Sequence, residues 1–201
     1  MSTTRMDIHP DYESAVRSSG LNRFDDFMTV RGGTPASRHR HRETLPIELK
    51  IDGKNRHFFL KRVFKVPPKH AFWPMVRLRR PFSQPAREWE ICGQLQRAGI
   101  PVMKAVAVGE RRRLAMPMQA FLLVEAVPIP HTVEDWLVPG FPKPAPIDPR
   151  LRERLLFDLG TLVRKLYTAG FDWPDIDAKH IFTEPDHSGH DAPSWHFRLI
   201  D

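Results

Sequence analysis

The chain has 201 residues, 41% of them hydrophobic and 10% aromatic, enough for one domain or one two-lobed unit with a sizeable core. Its 20 prolines and 11 glycines speak against a helical bundle; the single cysteine, Cys92, excludes an internal disulfide and fits a reducing compartment; and no run of about 18 apolar residues exists to cross a membrane as a helix. A formal charge of +7 favours polyanions: nucleotides, nucleic acids or anionic lipid surfaces.

Residues 1–23 are polar, lack an apolar signal core and read as a partly disordered leader, which points to a cytoplasmic protein. Phe24 to Val30 reads as a first strand. A turn-rich loop containing Gly32 and Gly33 follows, then the basic run Arg38-His39-Arg40-His41-Arg42. Leu45, Ile47, Leu49 and Ile51 alternate as a second strand, Asp52-Gly53-Lys54-Asn55 reads as a hairpin turn, and His57 to Val63 reads as a third strand. After a Pro- and Arg-rich connection over 66–84, Ser83 can cap a helix reaching about Ala98, with Gly99 ending it. Met103 to Val108 and Ala120 to Glu125 read as two more strands, with a basic turn at Glu110 to Arg113 between them. From His131 the pattern turns helical. Thr132 to Asp135 has the capping-box form, a Pro-rich loop covers 139–149, and Asp148-Pro149 opens the clearest amphipathic helix, which Gly170 stops. Two short strands, His180 to Thr183 and His196 to Ile200, complete an α+β chain.

Within this frame two charges stand on apolar faces. Lys61 shares its strand face with Phe59 and Val63. Glu88 lies on the helical stripe of Ile91, Cys92 and Leu95. Burying one unpaired charge is costly, so each is expected to supply the other's partner; taken singly, Lys61 reads as a snorkelling lysine and Glu88 as a surface residue. Asp172, Asp175 and Asp177 cluster in the turn after Gly170, where aspartates also serve simple turn chemistry. His39 with His41, or His187 with His190, are candidate metal ligands, but no H-E-x-x-H or C-x-x-C spacing supports zinc. Cys92 reads as a small core residue, and no G-x-S-x-G motif supports a serine hydrolase. The basic clusters at 38–42, 77–80 and 111–113 suit either a solvated face or an anionic partner. No recognised nucleic-acid-binding module is present, so nucleic acid is not the expected partner.

The order of elements is similar to that of protein kinases: five strands with one helix after the third, a hinge, then a helical lobe. Arg87-Glu88-Trp89, Leu95, Ala98-Gly99-Ile100-Pro101 and Ala105 to Arg111 resemble the lipopolysaccharide kinase family, whose members phosphorylate heptose or Kdo sugars of the inner core. Val124-Glu125 with Thr132 to Asp135 resembles that family's hinge. Gly170-Phe171, Asp175 and His180-Ile181-Phe182 resemble its catalytic loop, and Leu199-Ile200-Asp201 the strand ending at its metal-binding aspartate. The resemblance implies a protein-kinase-like fold, with an N-lobe over 24–125 and a partial, mainly helical C-lobe over 126–201, truncated after the aspartate. It implies ATP and magnesium as cofactors. Lys61 would hold the nucleotide phosphates, braced by Glu88, with Gly32 and Gly33 covering them. Asp175 would orient the acceptor hydroxyl, and Asp201, supported by His180, would hold the metal. Imidazole suits magnesium poorly, so support of the loop is the competing role for His180. It implies a sugar of the lipopolysaccharide core as acceptor and peripheral contact with the inner membrane surface. Two departures stand out: the kinase His-Arg-Asp reads Trp173-Pro174-Asp175, and no G-x-G-x-x-G is present. A pseudokinase, a kinase for another small hydroxylated substrate and a basic nucleic-acid-binding protein are the competing readings.

Overall fold

Alternation in the second predicted strand becomes a buried face. Glu43, Leu45, Ile47, Leu49 and Ile51 all point inward from strand Arg42–Ile51, while Arg42, Glu48 and Lys50 are exposed. In the computed structural model, residues 2–66, 82–114, 116–138, 140, 144, 147–171, 177–186 and 194–200 are described. The chain divides into two units, one of residues 1–93 and 104–126, the other of residues 94–103 and 127–201.

The first unit is built on a six-stranded sheet. Its strands are β1 (Ser2–Ile8), β2 (Ser37–His39), β3 (Arg42–Ile51), β4 (Lys54–Val63), β5 (Ala105–Arg113) and β6 (Met116–Glu125). They lie in the order β1-β5-β6-β4-β3-β2, every neighbour antiparallel. The β3–β4 hairpin turns through Asp52 (φ 50°) and Gly53 (φ 77°), the pair of left-handed residues that a tight hairpin favours.

Two sequence expectations are corrected at the N-terminus. Residues 1–23 are not a loose leader: β1 pairs with β5 from Ser2↔Arg113 to Ile8↔Ala107, and helix α1 (Pro10–Ser18) buries Tyr12 and Val16. Phe24 to Val30 is not a strand but helix α2 (Phe24–Thr29), which buries Phe24, Phe27 and Met28. Their i, i+3, i+4 spacing is helical, and the Asp26 carboxylate caps the helix by accepting from the N–H groups of Asn22 and Arg23 at 2.9 and 2.6 Å. The aromatic content misled because phenylalanine also favours strands.

These helices cover one face of the sheet. Tyr12, Val16, Phe24 and Phe27 join Leu45, Ile47, Phe58, Leu60, Phe121 and Leu123 in one core. Phe27 stacks on Phe121 with centroids 4.1 Å apart and planes 7° apart. Gly109, opposite Phe121 in the register, makes room for that ring, since a Cβ there would lie 2.2 Å from its edge. Arg62 fastens the end of α2: its Nη1 donates to the carbonyls of Met28 at 3.1 Å and Val30 at 2.9 Å, while Nη2 pairs with buried Glu43. Carbonyls at a helix C-terminus lack internal donors, and a cation there is favourable. Phe27 is fully buried, so Phe27→Ala should cost about 3–5 kcal/mol, read as a drop in the denaturant midpoint.

Helix α3 (Gln84–Arg97) has Ser83 at its start, whose Oγ accepts from the Ala86 N–H at 3.3 Å, and Gly99 (φ 66°) just beyond its end. Arg42, Lys61 and Glu110, its polar partners on the sheet, stand in alternation with the core residues and so belong to the opposite face.

The second unit contains helix α4 (Val133–Leu137), helix α5 (Pro149–Thr168), a 3₁₀ turn (Ala178–His180) and the hairpin of β7 (Ile181–Asp186) and β8 (Ser194–Leu199). Thr132 caps α4 in a capping box with Asp135, and Asp148 caps α5 with Pro149 at its first position. Trp136 meets Trp195 edge-on at 5.0 Å, and the Asp158 carboxylate of α5 accepts from the Trp195 N–H at 3.2 Å. Among the described residues, no helix is long and apolar enough to cross a membrane.

Candidate active site

The alternation that buries Leu60 and Arg62 on one face of β4 turns Lys61 to the other. There its Nζ donates to Glu88 Oε1 at 2.5 Å. The side chains are 23% and 10% exposed, respectively. The lysine is therefore held against a helix with part of its side chain still exposed, an arrangement suited to gripping an anion. Lys61 lies directly across from Thr44 on β3 and Leu122 on β6.

The turn joining the first two strands of the β2-β3-β4 meander is Arg40-His41, tied to the end of β4 by a hydrogen bond from the Phe64 N–H to the His41 carbonyl at 2.9 Å. Gly32 and Gly33 lie in the loop between α2 and β2, within the turn-rich stretch read from sequence. Gly32 has a packing reason: a Cβ there would sit 2.7 Å from the Pro46 carbonyl oxygen. A strand of three residues, β2, is too short to announce itself in sequence, which is why Ser37 to His39 read as loop and basic run.

The end of β6 is braced from the N-terminal segment. Tyr12 donates to Glu125 Oε2 at 2.7 Å and Arg56 donates to Oε1 at 3.2 Å. Burial, then the hydrogen bond and charge of Glu125, push the Tyr12 phenol well above its ordinary range. A raised folded value means that the contribution to stability is full below the unfolded pKa and is lost as pH rises from there toward the folded value. Tyr12→Phe lacks that loss, so its stability deficit against the parent should narrow above about pH 10 in urea unfolding.

In the second unit, the His180 N–H donates to the Asp177 carbonyl at 2.9 Å, and its own carbonyl accepts from the Ile200 N–H at 3.0 Å. The β7–β8 ladder thus sets the backbone of His180 beside the residue that precedes Asp201. Asp177 pairs with Lys179 at 2.8 Å; that hydrogen bond holds the Asp177 carboxyl below its usual range. Asp172, Asp175 and Asp201, with Trp173, Pro174, His187, His190 and the basic cluster at 77–80, lie outside the described residues.

The basic run at 111–113 is also corrected: it is not a turn but the end of β5. Arg111 makes two hydrogen bonds to Asp25, at 2.7 and 2.8 Å, and lies over the Phe24 ring. Arg112 is buried against Glu110. Among the described residues no group of three or more His, Cys, Asp or Glu side chains is arranged to hold a metal ion.

The profile of the lipopolysaccharide kinase (Kdo/WaaP) family matches residues 31–201. The chain belongs to this family. The heptose(I) kinase WaaP of Escherichia coli K12, named for the lipopolysaccharide core, is 29% identical over 140 residues, covering 70% of this chain and 51% of its own length. A second Escherichia coli WaaP is 25% identical over 170 residues, covering 85% of this chain and 62% of its own. The chain therefore spans about half to three-fifths of the length of these relatives. The solved structure of WaaP in complex with acyl carrier protein aligns over 98% of this chain and 70% of its own, with a TM-score of 0.66 and 22% identity. That match establishes the protein-kinase-like fold. The five strands expected from sequence become six because Phe24 to Val30 is a helix and two unexpected strands join the sheet, β2 and, on the edge beside β5, β1. Residues 2–30, which supply that strand with α1 and α2, precede the matched region.

Proposed function

We propose that the protein transfers the γ-phosphate of ATP to a hydroxyl of a lipopolysaccharide inner-core sugar, heptose or Kdo. The observation that carries this reading is the Lys61–Glu88 pair, 2.5 Å long and joining strand to helix, in a chain of the lipopolysaccharide kinase family. The heptose kinase activity in the names of its relatives supports the acceptor class.

In this reading Lys61 binds the nucleotide phosphates as a point charge and Glu88 keeps its ammonium from collapsing elsewhere. The Arg40-His41 turn supplies positive charge over the phosphates where many kinases use bare glycine amides. Asp175 accepts the acceptor's proton as the sugar oxygen bonds to the γ-phosphorus and the bond to the bridging oxygen breaks, releasing ADP. Magnesium requires oxygen donors, which fits the Asp201 carboxylate and not the His180 imidazole; when bound it neutralises phosphate charge. His180, bonded through its backbone to Asp177 and Ile200, positions the loop. The positive balance of the chain favours a peripheral place on the anionic inner face of the membrane.

The test is transfer of radiolabelled phosphate from ATP to dephosphorylated core oligosaccharide, using the full-length protein with and without magnesium. Magnesium-dependent labelling is expected. A protein that binds ATP but labels none of a panel of heptose and Kdo acceptors would be a pseudokinase. Trp173-Pro174 in place of the usual His-Arg is the feature that favours this second reading.

A further inference from the structure

Glu110 and Arg112 form a buried ion pair on β5, with side chains 8% and 10% exposed. Burying two charges offers little net stability by itself, so their second contacts are informative. The other oxygen of Glu110, Oε2, accepts from the backbone N–H of Ser83 at 2.7 Å. Ser83 is the residue before α3 and is 1% exposed. The Arg112 guanidinium lies 5.6 Å from the ring of Phe82, one residue earlier. A carboxylate at a helix N-terminus satisfies an orphan N–H and complements the helix dipole.

The register shows what this anchor aligns. Arg42, Val63, Ala120 and Glu110 stand in one row across β3, β4, β6 and β5. Both ends of that row hold α3: Glu110 takes Ser83, and Arg42 Nη1 donates to Gln84 Oε1 at 2.9 Å. The row two residues away is Thr44, Lys61, Leu122 and Val108. Two residues along a strand span about 7 Å, and the five residues from Ser83 to Glu88 along a helix span about 7.5 Å. Fixing the start of α3 over the first row therefore delivers Glu88 over Lys61.

We propose that Glu110 is a positioning residue for nucleotide binding, setting the axial place of α3 so that Glu88 meets Lys61. This rests on the reading of Lys61 and Glu88 as the nucleotide clamp. Glu110 acts through the helix and not by contact with the nucleotide.

A double-mutant cycle on the full-length protein tests it, with ATP–magnesium affinity by calorimetry and thermal stability in parallel. Glu110→Gln should weaken nucleotide binding roughly tenfold, the scale of one charge-assisted hydrogen bond, and leave the KM for the sugar acceptor unchanged. In a Glu88→Gln background the same change should add little, because its route of action is already cut. An unchanged nucleotide affinity with a lowered melting temperature would overturn the proposal, as would equal weakening in both backgrounds. If Glu110→Gln does not fold, Glu110→Asp, which keeps the charge beside Arg112 but draws it back from Ser83, enters the same cycle with the same expectations. Lys61→Ala is the control: if it binds ATP normally, the clamp reading fails, whereas a weakened Lys61→Ala beside an unaffected Glu110 variant sinks only the positioning role.

Discussion

Lys61→Ala should lower affinity for ATP–magnesium by about 10- to 100-fold, the worth of one charge-assisted contact to phosphate. Glu88→Gln should weaken it less, because the ammonium remains and only its brace is softened. Both changes also act on stability, in proportion to burial. With Lys61 23% and Glu88 10% exposed at the side chain, removing the lysine takes a charged partner from a mostly buried carboxylate. The cost should fall between that of a surface pair and that of a fully buried one, about 1–3 kcal/mol. Titration calorimetry and urea unfolding separate the two effects. A Lys61→Ala protein that binds ATP as the parent does would remove the kinase role of β4.

The second large effect is expected in turnover. Asp175→Asn should leave ATP binding near the parent's and slow transfer to core sugar by about 10²- to 10⁴-fold, the usual contribution of a positioned proton acceptor. Asp201→Asn should impair metal-dependent nucleotide binding and transfer together. Full activity in Asp175→Asn would move the role to Asp172 or Asp177. Asp177 is a weakened base, because Lys179 holds its carboxyl low and a low pKa weakens proton abstraction near neutral pH. A rate comparison on the three asparagine variants, at saturating ATP, decides among them.

Local signals explain why much of this was legible in sequence. The Lys61–Glu88 contact followed from two periodicities, one of two residues and one of 3.6, each leaving a charge on an apolar stripe. The start and stop residues Ser83, Gly99, Thr132, Asp148 and Gly170 spoke for themselves, since capping and left-handed geometry are local chemistry. The errors came where a long-range partner decides. β1 becomes a strand by pairing with β5 about a hundred residues away, and its own residues alternate only weakly. Glu110 to Arg113 read as a turn because charged residues seldom enter a core; the pairing of Glu110 with Arg112 and Ser83, which permits that burial, is a tertiary fact. The three residues of β2 carry too little pattern to be told from loop.

Lys61 and Arg62 are neighbours in sequence that serve opposite faces of β4, one reaching α3 and the other holding the end of α2. A strand repeats every two residues, so slipping it by one exchanges its faces. Deleting one residue ahead of Lys61 would bring the Arg62 guanidinium to Glu88 and Val63 to the carbonyls of Met28 and Val30; inserting one would bring Leu60 to Glu88 and the Lys61 ammonium to those carbonyls. Either way one site receives an apolar side chain, and the forked donor that reaches two carbonyls and Glu43 together has no counterpart in lysine. Length changes in this gene should therefore be confined to the loops, and β4 should vary by substitution alone.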